Sequence, residues 1–286
     1  MRAQTLGKLN FRAARNLVPA RDPRSRKGQN GRVLVVGGSK EYFGSPALAG
    51  LSALRSGADL CYVFAPRFCA PVIAGYSPDL IVWSYPDDYL RRASVSLIEG
   101  MEKHVDALAI GNGLTKQAEV LGAVRDVLAV WQKPVVVDAD ALMPGLRFKS
   151  RHVVLTPHMV EFERLGGSRP SHDVPGRAKQ VAALAESLGA TVLLKGVEDI
   201  ASDGKRTVLA STGNAGMTAG GTGDTLTGVC AALLAQRVKP LEAAALAAFV
   251  NGYAGDCAFK RLGYSLVASD IVSELPHAFK DLRGAD

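Results

Sequence analysis

The twelve residues Gly213–Asp224 (GNAGMTAGGTGD) hold five glycines and end on a carboxylate. Behind them Leu226, Val229, Cys230, Leu233 and Leu234 recur at i, i+3, i+4, i+7 and i+8, so the segment feeds the N-terminus of a helix. Such an end presents unpaired N–H groups and the positive end of the helix dipole. Glycines let that backbone close on phosphate oxygens. An acid at an anion-binding end is a poor choice for structure alone, but it suits handling a substrate hydroxyl proton, or a metal beside the phosphate. A Gly-rich turn before a core helix is the plainer alternative. The terminal Gly-Thr-Gly-Asp favours phosphate chemistry over it.

Two common phosphate devices are excluded. No GxxxxGK[ST] run occurs, which rules out a P-loop. The first strongly apolar strand ends Gly37-Gly38-Ser39-Lys40-Glu41-Tyr42, which is not GxGxxG, and the next closes on Ala65-Pro66 without the acid that would hold a ribose. Other residues carry both a structural and a functional reading. His158 follows Thr156-Pro157 at a strand end, where it could simply cap a helix. Asp138 and Asp140 could cap the helix beginning near Ala141, or could stand near Mg²⁺ or water where open sheets place ligands. Lys195, at the end of an apolar strand and before Gly196, reads as a site residue. Asn251, Gly252 and Gly255 read as close helix packing, with Asn251 near the base.

Strands alternate with helices along the chain. Continuous apolar runs at Arg32–Gly37, Ala58–Phe64, Asp106–Ile110, Val135–Asp138, Val153–Leu155 and Thr191–Leu194 fit strands buried on both faces. Ser45-Pro46 offers an N-cap and a first-turn proline for a helix that Gly57 stops. Asp203-Gly204 joins Glu198–Ser202 and Lys205–Leu209 as a hairpin. The expected fold is α/β, a central mostly parallel sheet of about eight strands with helices on both faces and the site at strand C-terminal ends. Residues 29–286 read as a single domain.

The 286 residues suffice for a full core, and no window approaches the roughly 20 apolar residues of a membrane helix. The net charge of +7 is confined to residues 1–28, with eight basic residues against Asp22; the remainder is balanced. The body therefore lacks the basic excess and interleaved aromatics of a nucleic-acid binder, and residues 1–28 read as a solvated basic extension. Cys61, Cys69, Cys230 and Cys257 form no CxxC pair and read as reduced thiols of a cytoplasmic protein.

Several segments resemble, in order, the NAD(P)H-hydrate dehydratases of the ribokinase-like superfamily: KGQNGRVLVVGGS (27–39), GSPALAGLSALRSGAD (44–59), AIGNGL (109–114), PVVVDADAL (134–142), LTPHMVEFERL (155–165), LLKGVEDIASDG (193–204) and GNAGMTAGGTGDTLTG (213–228). The resemblance implies a metabolite-repair reaction: dehydration of hydrated NADH and NADPH coupled to hydrolysis of ADP or ATP, through phosphorylation of the ring hydroxyl and loss of phosphate. It places Ala47, Gly113, His158 and Asp224 at the hydrate, with Asp224 as the catalytic base. It places Lys195, Gly196, Val197, Glu198, Asp199 and Gly223 at the nucleotide. Mg²⁺ is implied as the phosphate counter-ion, along with a separate epimerase partner and a homotetramer. Asn112 stands where many relatives carry proline or cysteine, and Arg26 where histidine is frequent. A ribokinase-like kinase of a thiazole or pyrimidine alcohol, and a non-catalytic nucleotide-binding protein, are the competing readings.

Overall fold

The computed structural model describes residues 6–284. Its frame is one sheet of ten strands: β1 (Leu6–Lys8), β2 (Arg32–Val36), β3 (Leu60–Pro66), β4 (Ile81–Tyr85), β5 (Ala107–Ile110), β6 (Val135–Val137), β7 (Val153–Leu155), β8 (Thr191–Leu194), β9 (Asp199–Ser202) and β10 (Thr207–Ala210). Their spatial order is β1-β10-β9-β8-β7-β6-β5-β2-β3-β4. From β4 across to β8 every pairing is parallel, whereas β9 runs antiparallel to both neighbours. The β9–β10 hairpin is the one expected around Asp203-Gly204. The two strands beyond the expected eight, β1 and β4, are the sheet's edges. Neither carries a continuous apolar run: β1 contains Gly7 and Lys8, and β4 exposes Trp83 and Ser84.

Alternation along β2 sends Val33 and Val35 to one face and Leu34 and Val36 to the other, all fully buried. The first face is covered by α1 (Phe11–Leu17), α2 (Gly44–Arg55), α3 (Ala70–Tyr76), α8 (Thr222–Ala235), α9 (Pro240–Leu262) and α10 (Ala268–Arg283). The second face is covered by α4 (Val95–Met101), α5 (Ala118–Val130), α6 (Met159–Arg164) and α7 (Val174–Leu188). The chain leaves β2 for α2 on one face and β5 for α5 on the other. A crevice must therefore open between the C-terminal ends of β2 and β5, the switch point where open sheets receive ligands. Ser45 does not cap α2. The helix starts two residues earlier than that cap implies, at Gly44 with Phe43 at the N-cap, and the Ser45 hydroxyl is used elsewhere.

The solvated reading of residues 1–28 is corrected over residues 6–18. Strand β1 pairs with β10, and the Leu9 N–H donates to the Leu209 carbonyl at 2.8 Å. Leu9 and Ala14 are buried, and the Phe11 ring meets Phe249 and Tyr253 edge-on at 6.3 and 5.8 Å. Arg15 donates to the Leu282 carbonyl at 2.9 Å. The charge count hid this, because the few apolar residues fall at helical spacing between arginines. Met1–Thr5 lie outside the described residues.

Deletion of residues 1–18 bares the β10 edge and the α1 footprint on α9 and α10. The loss should be on the order of 2–4 kcal/mol of stability, or a Tm drop of about 5–10 °C, read by calorimetry. An unchanged Tm would show that the segment contributes nothing to the fold.

Candidate functional site

The loops after β2 and β5 press together in the crevice. Gly38 N–H donates to the Asn112 carbonyl at 3.0 Å, and a Cβ on Gly37 would run into that same oxygen. Asn112 is completely buried. Its Nδ2 lies 2.7 Å from Asp224 Oδ1 and 3.3 Å from Asp138 Oδ2.

Asp138, one residue past β6, is the hub. Oδ1 accepts from Lys195 Nζ at 2.9 Å and from Thr156 Oγ1 at 2.8 Å; Oδ2 accepts from Thr227 Oγ1 at 2.8 Å. Burial alone would raise this carboxyl, but Lys195 and the two hydroxyls outweigh it and hold Asp138 below the usual carboxylate range. Burial likewise disfavours the Lys195 ammonium, yet Asp138 and Glu161, whose Oε2 lies 3.9 Å away, keep it above the ordinary lysine value. The pair is a fixed cation at the end of β8. Neither Asp138 nor Asp140 caps a helix: a 3-10 turn follows at Ala139–Ala141, and Asp140 faces Lys116 at 3.6 Å.

Asp224 lies in the first turn of α8. Gly221 holds the N-cap at φ +94°, a left-handed turn that swings the chain from the Gly-rich loop into the helix. Burial raises the Asp224 carboxyl above its ordinary value; the bond from Asn112 opposes that, Asp138 adds to it, and Ser45 and Lys195 oppose it.

A cavity of about 400 Å³ lies against this turn, lined by Lys195, Gly196, Val197, Asp199 and Gly223, five of the six residues assigned to the nucleotide. Thr212, Asn214, Thr218 and Asn251 complete its polar wall. Glu198 does not line it and instead meets Arg177 at 3.0 Å. Asp199 Oδ1 accepts from Gly196 N–H at 2.9 Å, bending the loop so that Val197 stands almost fully exposed at the rim. Burial pushes the Asp199 carboxyl up to about 6, in spite of that bond and of Lys195. Asn251 accepts from Thr225 at 2.7 Å, and a Cβ on Gly252 would crowd Thr212, as the close-packing reading requires. A larger hollow of about 670 Å³ lies at the opposite ends of the strands, against Arg32, Lys133 and Lys239. It reaches none of the residues assigned to the hydrate or the nucleotide.

The residues assigned to the hydrate divide. Gly113, at φ +73°, packs so close to the Tyr42 carbonyl and Ser45 that no Cβ would fit, and Ser45 bonds Asp224. These groups share one corner of the crevice. His158 is a helix cap after all: its Nδ1 accepts from the Val160 and Glu161 N–H groups at 3.2 and 3.3 Å at the start of α6. Nε2 stays half exposed, 3.4 Å from Glu161 Oε1, so His158 joins the site through Glu161 and Lys195. Ala47 is buried in the core on α2, two residues and about half a turn from Ser45. Sequence reading missed Ser45, Thr156 and Thr227 as site residues, and met Asn112 only as a departure from a pattern. Ser45, Thr156 and Asn112 are small polar residues in apolar or glycine-rich runs, and Thr227 follows Asp224 and Thr225 as one more polar residue at the start of α8. Among the described residues no three His, Cys, Asp or Glu side chains converge as a metal site, and every Asp138 oxygen is already engaged. The donor set does not fit a protein-held Mg²⁺.

The mostly parallel sheet, flanked by helices and opening at the β2–β5 switch point, is the ribokinase-like α/β fold. The family profile of the NAD(P)H-hydrate dehydratases matches residues 33–277, and the chain belongs to that family. It is 41% identical over 270 residues to an ADP-dependent (S)-NAD(P)H-hydrate dehydratase of Cenarchaeum symbiosum, covering 93% of this chain and 94% of the relative. It is 42% identical to a bifunctional NAD(P)H-hydrate repair enzyme of Pyrobaculum aerophilum, over 91% of this chain but only 53% of that protein. The crystal structure of an ADP/ATP-dependent NAD(P)H-hydrate dehydratase from Bacillus subtilis, co-crystallised with ATP and Mg²⁺, superposes with a TM-score of 0.82 at 28% identity, over 98% of this chain and 100% of that one.

Two outcomes follow from the buried charges. In the wild type, Asp138 contributes stability at neutral pH that is lost only as pH falls through its lowered folded value. Lys195→Met strands that carboxylate, so the variant should lose about 3–5 kcal/mol in denaturant titrations, more at pH 8 than at pH 5, where the stranded group can protonate. Equal losses at both pH values would mean that Asp138 does not depend on Lys195. Asp199 has the opposite sign: its folded value lies above the unfolded one, so the folded state loses stability as pH rises through about 6. Asp199→Asn should raise Tm at pH 8, with a gain that shrinks toward pH 5.

Proposed function

We propose that this chain dehydrates hydrated NADH and NADPH with ADP as phosphoryl donor, restoring the dihydronicotinamide as a metabolite-repair enzyme. The carrying observation is Asp224, a raised carboxyl in the first turn of α8, one residue past the glycine that walls the nucleotide-sized cavity. A carboxylate held above its usual range is a better base for a hydroxyl proton. Family membership, and the ADP-dependent name of the Cenarchaeum relative, support the substrate and the choice of ADP over ATP.

In this reading the nucleotide lies along Gly196, Val197, Asp199 and Gly223, with Lys195 as a fixed positive charge beside the transferring group. Asp224 accepts the hydrate's hydroxyl proton as that oxygen takes the phosphoryl group from ADP, releasing AMP. The α8 N-terminus and the N–H groups around Gly220–Gly223 stabilise the equatorial charge. Breakage of the carbon–oxygen bond then expels phosphate, and the neighbouring ring carbon gives up a proton to the departing phosphate or to water, so that its C–H electron pair becomes the ring double bond; the sum is hydrate plus ADP to dihydronicotinamide, AMP and phosphate. Gly113 and the α2 start near Ala47 border the hydrate, and His158 lies at its outer side. Mg²⁺ is the counter-ion of the nucleotide phosphates, as the resemblance implies, with no protein ligand assigned.

Bifunctional relatives about twice as long support a functional link to a separate epimerase. All four cysteines are free and three are buried, with Cys61 pushed up to about 12 and Cys69 to about 11, which supports work in a reducing cytoplasm. Among the described residues no helix is long and apolar enough to cross a membrane. Tyr76 on α3 and Trp83 on the edge strand β4 are exposed large apolar side chains, which supports homo-oligomerisation at this edge, with a tetramer as the resemblance implies.

The test is turnover of hydrated NADH, with ADP and ATP in parallel, read by the near-ultraviolet absorbance of the dihydronicotinamide. A small-alcohol kinase would accumulate a phosphorylated product without that absorbance. Asp224→Asn keeps the shape but cannot take the proton, so turnover should fall about 10²–10⁴-fold while ADP still binds. Gly223→Val should fail at binding instead, because a Cβ there already stands 3.4 Å from Lys195 Nζ and further branching fills the cavity. Near-normal turnover of Asp224→Asn at saturating ADP would remove Asp224 as the base.

A further inference from the structure

Asn112 sits between two acids with no solvent around it. Only the NH₂ end of its amide suits a position 2.7 Å from one carboxylate oxygen and 3.3 Å from another; the carbonyl end there would face two negative oxygens. The amide orientation is thus fixed by chemistry. With both hydrogens directed at Asp224 and Asp138, Oδ1 is left without a donor among the described residues. A buried acceptor without a partner costs stability, which makes asparagine a poor choice for packing alone.

We infer that Asn112 is a positioning residue of the reaction: its amide group spans Asp138 and Asp224, clamps Oδ1 of Asp224, and leaves proton uptake to the other oxygen, Oδ2. The inference rests on Asp224 being the base. Through Asn112 the base is tied to the carboxylate that holds Lys195, so one side chain sets the spacing between the proton acceptor and the fixed cation. A carboxylate free to rotate would share its two oxygens among several directions; with Oδ1 held, a single lone-pair direction serves the hydroxyl.

The electrostatic side of the clamp is testable. The charged groups around Asp224 are Asp138 from the turn after β6, Lys195 from the end of β8, and Glu161 on α6 beyond Lys195; Ser45 on α2 is a neutral donor, and α9 contributes only the neutral Asn251 near Thr225. Removing the Asn112 donor leaves burial and the Asp138 charge less opposed. Asp224 then protonates at higher pH, and because the base works ionised, the acid limb of the rate profile moves the same way.

Asn112→Leu keeps the branched outline, with somewhat more bulk, and removes both donors; Asn112→Asp keeps the shape and replaces the donor with an acid. For each, kcat/KM should fall about 10–100-fold at neutral pH, the acid limb should move up by about one pH unit or more, and part of the loss should return at alkaline pH. ADP affinity should stay near that of the wild type. A loss equal at every pH, with the acid limb unmoved, would be a merely structural effect and would overturn the inference. The second readout needs no turnover. In ligand-free protein carrying ¹³C-labelled aspartate, the carboxyl signal that disappears in Asp224→Asn is titrated in wild type and variants. Its midpoint should rise in Asn112→Leu; an unchanged midpoint would refute the clamp. If the midpoint rises but Asp224→Asn still turns over normally, the base assignment fails and the positioning role falls with it. Should Asn112→Leu not fold, Asn112→Asp carries both readouts.

Discussion

A single buried ion pair, Lys195 with Asp138, is the contact around which the functional half of the molecule is arranged. Two charges out of water demand complete partnering, and the sheet supplies it from adjacent strand ends: Thr156 after β7, Asn112 after β5, and Thr227 from α8. Such a pair adds little net stability over an apolar substitute. What it provides is a fixed distance, because each partner must end where the others can reach it. The registers of β5 through β8 are thereby tied to the height of α8, and Asp224 with it.

Helix α8 serves two purposes that pull on its sequence differently. From Thr225 to Ala235 it is buried, packed against α2 so closely that a Cβ on Gly228 would collide with the Ala49 carbonyl. Its first turn, by contrast, is open to the cavity. The rigid remainder holds the open turn in place, so the N–H groups facing a phosphate need little reorganisation when one arrives. Small residues on α9, Ala243 to Ala245, Ala247 and Ala248 among them, allow the same tight layer behind it.

The legible parts of this chain were those where one physical requirement acts on consecutive residues. Strands buried on both faces need unbroken apolar runs, so six inner strands stood out, and the Asp203-Gly204 turn marked β9 and β10; the edge strands β1 and β4 pair on one side only and tolerate Gly7, Lys8 and Ser84, which erased their signal. The Gly-rich entry to α8 was visible because a sharp left-handed turn and a close approach both call for glycine. Lone polar residues were not. Thr156 and Thr227 look like ordinary members of a strand end and a helix until the fold brings them to the same carboxylate, and Glu198 sits within the nucleotide segment but turns to Arg177. His158 shows the reverse case, where the modest reading as a cap is what the geometry bears out, while its second nitrogen stands 3.4 Å from Glu161.

The pairing of β1 with β10 sets the order in which the molecule can be completed. Leu6 lies opposite Thr207, so β1 leaves the ribosome roughly 200 residues before its partner exists. Until then α1, which follows it, has no α9 or α10 to lie against. Strand β1 thus gains its partner late, and its edge stays unpaired while strands β2 to β9 are being made.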